Sequence, residues 1–290
     1  MTEPSLSVGR TGGPRGRTYR RGRTLGVLLV ALALVFAGCS SDDSSADSTG
    51  NTTAGSDAGA AELSGSITVS AAASLTDVFD AAIEDFTAEN PDTEVVANYG
   101  SSSQLAEQIL AGAPADVAAF ANTSAMDGLV EAGVVDEAQS GVILATNELV
   151  IITKPGNPEG IDSVDDLTDV GTVALCAQDA PCGRYAAELL TNAGVTLDES
   201  TITRGQNATA TLTAVTEGDA AAAILYRSDG VRAAERAEVV DVQEGLSPIA
   251  EYPIAVLNTT ENVELADAFV GFLLSDAGVA LLGEGGFGSP

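Results

Sequence analysis

From residue 66 to residue 290 the chain alternates between short β-branched or apolar runs and amphipathic stretches of helical length. Strand-like runs fall near 67–70, 94–99, 116–120, 148–153, 172–176, 201–204, 221–226, 239–242 and 252–257. Between them, Leu75, Val78, Phe79, Ala82 and Phe86 recur at helical spacing, and Leu105, Ile109 and Leu110 give the next helix an apolar stripe. A further helix over residues 186–193 stops at Gly194, and a last one is expected over 263–274. Ser74 with Asp77 three residues on fits a capping box for the first of these helices. Strands that alternate with helices of this length predict an α/β fold with largely parallel sheets. The 225 residues suffice for one large or two small domains. Breaks at Ala145-Thr146-Asn147-Glu148 and near Ser247-Pro248 divide them into residues 66–146 with 248–290, and residues 147–247.

The N-terminal 39 residues do not belong to that pattern. Six arginines between Arg10 and Arg23 precede an apolar run of 13 residues, 25–37, and then Gly38-Cys39-Ser40. Such a run is too short to span a bilayer and reads as a secretory signal. The ending Phe36-Ala37-Gly38-Cys39 resembles a lipobox, in which Cys39 is diacylated and becomes the mature N-terminus. Arg20-Arg21 leaves the export route, general secretory or twin-arginine, open. Residues 40–65 are Ser, Asp, Gly, Ala, Thr and little else, a composition that cannot offset its ordering entropy. They are expected to form a disordered tether spanning roughly 25–30 Å between a membrane and the fold.

The chain carries 12 Lys and Arg against 42 Asp and Glu, a net charge of −30. Six of those bases and one of those acids precede residue 40, so the exported part carries −35. Nucleic acid and anionic lipid headgroups are poor partners for such a surface. The chain has no histidine. That removes the commonest general base, the Ser-His-Asp and Cys-His nucleophile pairs, and nearly all zinc sites. Its one lysine, Lys154, lies in a Lys-Pro-Gly-Asn-Pro loop, so hydrolase chemistry is disfavoured on inventory alone.

Against that acidity stand two hydroxyl-rich turns, each placed where a strand gives way to a helix. One is Ala71-Ala72-Ala73-Ser74-Leu75, after Ile67-Thr68-Val69; the other is Gly100-Ser101-Ser102-Ser103-Gln104-Leu105, after Val95-Val96-Ala97-Asn98-Tyr99. Helix N-termini present unpaired N–H groups and the positive end of the macrodipole. With no basic residue in either turn, the pair suggests a site for a small oxyanion held by neutral donors. Open α/β sheets bind ligands at the carboxyl ends of strands, where both turns fall.

Together with Gly112-Ala113-Pro114-Ala115-Asp116-Val117, Ala223-Ile224-Leu225-Tyr226-Arg227-Ser228-Asp229 and Tyr252-Pro253-Ile254-Ala255-Val256-Leu257, these turns resemble the periplasmic molybdate-binding proteins. The resemblance covers essentially all of residues 66–290. It implies a two-lobed periplasmic-binding-protein-like (type II) fold, each lobe a mostly parallel sheet flanked by helices. The implied ligands of a molybdate or tungstate ion are the hydroxyls of Ser74, Ser102 and Tyr226 and the backbone amides of Cys182 and Ala208. The family more often has alanine and valine at the last two positions, but a backbone donor tolerates a change of side chain. The implied partners are an ABC permease and its ATPase, and the protein is expected to be a monomer without a cofactor, tied to the membrane through Cys39.

A tetrahedral dianion offers only acceptors, so hydroxyl and N–H donors satisfy it, while hydrogen phosphate finds no acceptor for its proton. Hydrogen bonds to a charged group contribute about 1.5–3 kcal/mol each. Sulfate has the same charge and geometry, so only cavity size separates it. Each assignment has a plainer rival: Ser74 as a helix cap, Ser101 or Ser103 in place of Ser102, Tyr226 as a core tyrosine. Arg184 reads as a solvated or ion-paired side chain rather than a ligand. In an exported chain Cys176 and Cys182 are expected to form a disulfide, with free buried thiols as the alternative. The competing functions are a same-fold receptor for sulfate, phosphate or a metal complex, and a secreted hydrolase or thiol redox protein.

Overall fold

The computed structural model of the chain describes residues 63–139 and 142–290. The expected signal sequence, Cys39 and all but the last three residues of the expected tether lie outside the described residues. Strand β1 (Gly65–Ala72) pairs in parallel with β2 (Thr93–Gly100) on one side and with β3 (Val117–Ala119) on the other. Further along the chain, β5 (Val173–Cys176) lies in parallel between β6 (Ile202–Gly205) and β7 (Ala222–Tyr226). These are the parallel sets that the alternation of strand and helix demands.

Two long strands join them. β4 (Ile143–Thr153) pairs antiparallel with β9 (Ile249–Val256) over its first half and with β7 over its second. β9 in turn leaves β4 for β3 at Ile254. Pro253, which has no N–H to give a ladder, sits at that change of partner. A short strand, β8 (Glu238–Val240), pairs with the outer half of β4. The result is one hydrogen-bonded order, β2-β1-β3-β9-β4-β7-β5-β6, with β8 beside β4. The sheet is mixed rather than largely parallel: every antiparallel pair involves β4 or β9, the strands that run between the two halves.

Helices cover the strands as their apolar spacing requires. α1 (Thr76–Glu89) buries Val78, Phe79, Ala82 and Phe86. Phe79 and Phe86 meet Phe269 of α7 (Val263–Leu273) edge-on at 6.3 and 5.3 Å. α2 (Ser102–Leu110) and α3 (Thr123–Glu131) share a second apolar cluster with Phe120 and Leu257. α4 (Pro181–Ala193), α5 (Ala208–Thr216) and α6 (Arg227–Arg232) follow β5, β6 and β7, and α8 (Asp276–Glu284) closes the fold beside α1. α4 shows the usual punctuation, with proline in its first turn and Gly194 in the left-handed conformation at φ 69° at its end.

The capping box expected of Ser74 and Asp77 does not form. Residues Ala73–Leu75 already make a turn of 3-10 helix, so α1 is capped at Leu75, without a side-chain bond. Ser74 lies inside that turn, where its hydroxyl turns away from the helix to meet the Tyr252 hydroxyl at 2.9 Å.

Candidate oxyanion site

Five strand-to-helix junctions converge on one cavity. β1 delivers Ala73 and Ser74; β2 delivers Ser101 and Ser102; β5, through its following loop, delivers Pro181 and Cys182; β6 delivers Asn207 and Ala208; β7 ends on Tyr226. Ser74, Ser102, Cys182, Ala208 and Tyr226 thus all line the same space, although they are spread over 152 residues of sequence. The cavity measures about 10 Å³ on the scale where roughly 10–15 Å³ holds a single water. Pockets for drug-sized organic ligands are roughly 30 to 100 times larger, on the order of 300–1,000 Å³. Among the described residues, none that lines it is charged.

Each hydroxyl has a defined role. Ser102 is fully buried, and its Oγ accepts the Ala121 N–H at 2.9 Å, which leaves its own hydrogen free to donate. Ser74 Oγ shares a hydrogen bond with the Tyr252 hydroxyl, 178 residues away in the chain. The Tyr226 hydroxyl is buried and has no partner among the described residues. Burial, and next the neighbouring Tyr252, hold it well above the usual tyrosine range, so it stays neutral and a donor at any physiological pH. Ser101 Oγ, also buried and without a partner among the described residues, faces the same cavity.

The backbone supplies the other donors. Asn207 caps α5 by accepting the Ala210 N–H at 2.9 Å, leaving the amide of Ala208, first residue of the helix, with no intrahelical acceptor. Cys182 occupies the equivalent first turn of α4. Its place is set covalently, because Cys176 and Cys182 form a disulfide with their Cα atoms 5.7 Å apart. Gly183 lets this turn fold back tightly, since a Cβ there would lie 2.0 Å from the Ala177 carbonyl oxygen.

Behind Tyr226 lies a charged pair that the sequence reading did not single out. Asp229 is fully buried; one oxygen takes the Tyr226 N–H at 3.3 Å and the other pairs with Arg232 at 2.8 Å. Burial raises its carboxyl to about 6, with Arg232 opposing the rise. Arg232 also donates to Thr209 Oγ1, which donates to the Ala73 carbonyl across the cavity mouth. Arg184 is exposed, as expected of a solvated side chain, and makes no ion pair among the described residues. It donates to Ser103 and Ser124 and to the carbonyl of Asp179, and it does not line the cavity. Among the described residues, no cluster of three or more His, Cys, Asp or Glu side chains could hold a metal ion.

A fold of this kind, with a small uncharged cavity at the carboxyl ends of its strands, defines a binding protein for a small solute. Residues 67–288 match the family described as bacterial extracellular solute-binding protein, and the chain belongs to that family. It is 36% identical over 226 residues to a molybdate-binding protein of Mycobacterium tuberculosis, covering 78% of this chain and 85% of that one. A solved substrate-binding domain from Clostridium difficile is 28% identical with a TM-score of 0.60, covering 78% of this chain and 99% of that one. The sulfate-binding protein SubI of Mycobacterium tuberculosis shares the fold at a TM-score of 0.70 and 22% identity, covering 77% and 86%.

Proposed function

We propose that the protein is an extracytoplasmic receptor that binds molybdate, and tungstate with it, for delivery to an ABC importer. The observation that carries this reading is the cavity itself: about 10 Å³, uncharged, and ringed by hydroxyl and first-turn amide donors. The likeness to a molybdate-binding relative across most of both chains supports it. The anion is held by the hydroxyls of Ser74, Ser102 and Tyr226 and the amides of Cys182 and Ala208. With only neutral donors, recognition depends on the number and direction of hydrogen bonds and on room, not on ion pairing. Ser102 already accepts the Ala121 N–H, so the group it has left to offer without competition is its own hydrogen, which suits an acceptor-only anion.

Residues 66–146 with 248–290 form one lobe in this reading, and residues 147–247 the other. Ser74 and Ser102 belong to the first, and Cys182, Ala208 and Tyr226 to the second. Closure brings both donor sets onto the anion and presents the loaded form to the permease and its ATPase. Cys39 carries the lipid that holds the monomeric receptor at the outer face of the membrane.

The test is thermal unfolding of the protein with molybdate, tungstate, sulfate and phosphate in turn. An anion at 1,000 times its Kd stabilises by about 4 kcal/mol, which molybdate and tungstate should do and phosphate should not. The small cavity makes sulfate the competing ligand. A shift with sulfate and none with molybdate would overturn the assignment.

A further inference from the structure

The rim of the cavity holds a cluster of polar contacts separate from the donors that line it. Ser103 Oγ donates to the Asp179 carbonyl at 2.8 Å. Arg184 Nη2 donates to both of those groups, to Ser103 Oγ at 2.7 Å and to Asp179 O at 3.0 Å. Arg184 Nη1 reaches Ser124 Oγ at 3.4 Å, and that hydroxyl also takes the Asn122 amide at 2.7 Å. The donors and acceptors balance: Ser103 gives its one hydrogen to Asp179 and takes one from Arg184.

The placement of these residues gives the cluster a purpose. Ser103 stands in the first turn of α2, next to the ligand serine Ser102; Ser124 stands in the first turn of α3. Asp179 and Arg184 flank the first turn of α4, which carries Cys182. The contacts therefore tie the serine side of the cavity to the disulfide side, across the mouth. Charge makes Arg184 unusual as well. Arg204, Arg227, Arg232 and Arg236 each pair with a carboxylate, whereas the contacts of Arg184 are to hydroxyl and carbonyl oxygens. A guanidinium is suited to such a place, because its planar fork can serve two acceptors at once.

We propose that Arg184 is a clasp: a positioning residue, steadied by the Asp179 carbonyl on its own side, that binds Ser103 and Ser124 when the two sides meet over the anion, and so sets how long the anion is retained. This rests on the oxyanion-receptor reading above. Clasp bonds form only once the sides have met, so their loss speeds release and leaves capture nearly unchanged. The bonds are exposed and partly screened, which places the effect at about three- to tenfold.

Release is measured by loading the protein with radiolabelled molybdate and chasing with unlabelled molybdate; capture is measured by rapid mixing. In Arg184→Ala and Ser103→Ala the release rate should rise about three- to tenfold, with capture within about twofold and the unliganded melting temperature unchanged. The double variant should release faster than either single one but by less than the product of the two effects, because the Arg184–Ser103 bond is lost in both while Ser103–Asp179 and Arg184–Ser124 are each lost in one. Arg184→Lys keeps the charge but not the fork and should release nearly as fast as the alanine variant. Unchanged release in Arg184→Ala, or a change confined to capture, would overturn the clasp while leaving the receptor assignment standing. Failure of the unaltered protein to bind molybdate would overturn both.

Discussion

Tyr226→Phe separates ligand binding from stability more cleanly than any other single change. The substitution removes one oxygen and keeps the ring, whose edge-on contacts with Tyr185 and Tyr252 at 6.5 and 5.9 Å remain. That oxygen is fully buried and has no partner among the described residues. Deleting it from the unliganded protein removes no internal hydrogen bond, and a buried hydroxyl left unsatisfied costs about 1–3 kcal/mol. The melting temperature without anion should therefore stay level or rise. In the proposed complex the same hydroxyl would donate to a dianion, a bond of about 1.5–3 kcal/mol, so Kd should rise roughly ten- to a hundredfold. Calorimetric titration with molybdate, paired with thermal unfolding in its absence, reads both quantities. A loss of stability without anion, or an affinity within threefold of the unaltered protein, would refute the argument that this hydroxyl is held in reserve for the ligand.

The serine turn makes a contrasting case. Ser102→Ala strands the buried Ala121 N–H and should cost about 1–3 kcal/mol even without ligand, a drop of several degrees in melting temperature, whereas Ser101→Ala removes an unpartnered oxygen and should leave it unchanged. Reducing the Cys176–Cys182 disulfide should lower stability by about 2 kcal/mol, the value for so short a loop, and should also weaken molybdate binding by loosening the Cys182 amide; melting and titration with and without dithiothreitol check both. Asp229 should leave a pH signature. Its folded pKa of about 6 lies above the usual 3.8, so the folded state holds the proton more tightly and stability falls as pH rises from about 4 to about 6. Relative to Asp229→Asn, the unaltered protein should lose about 3 kcal/mol across that window and nothing further above it, as melting curves at stepped pH will show.

Most of the parallel strands could be found in the sequence because β1, β3, β5 and β7 are short apolar runs that end at a turn. β4 and β9 were harder: their shared stretch includes Thr146, Asn147, Glu148 and Glu251, polar residues that give no strand signal. Their pairing is also decided by segments about a hundred residues apart. The junctions carrying Ser74, Ser102 and Tyr226 were visible as strand ends bearing hydroxyls. The second layer was not. Tyr252 reads as a core residue of a strand until the fold sets it against Ser74. Ser101, Ser102 and Ser103 look alike in sequence, and only the fold gives them an unpartnered hydroxyl, a bond to Ala121 and a bond to Asp179 respectively. The Ser74 capping box failed because the turn of helix begins one residue before Ser74, a shift no local pattern encodes.

The two strands that pass between the halves are paired with each other over Ile143–Glu148 and Ile249–Pro253. A hydrogen-bonded ribbon bends across its face, but it resists sliding, because slip along the strands would break its ladder in register. In the closure proposed above, such a ribbon would hold the two halves to nearly one path, along which the five junctions would meet in the same alignment. A tetrahedral ion has no long axis or side group by which a loosely tethered pair of surfaces could find their alignment around it. In that reading the repeatability comes from the protein, and the paired β4–β9 ribbon supplies it.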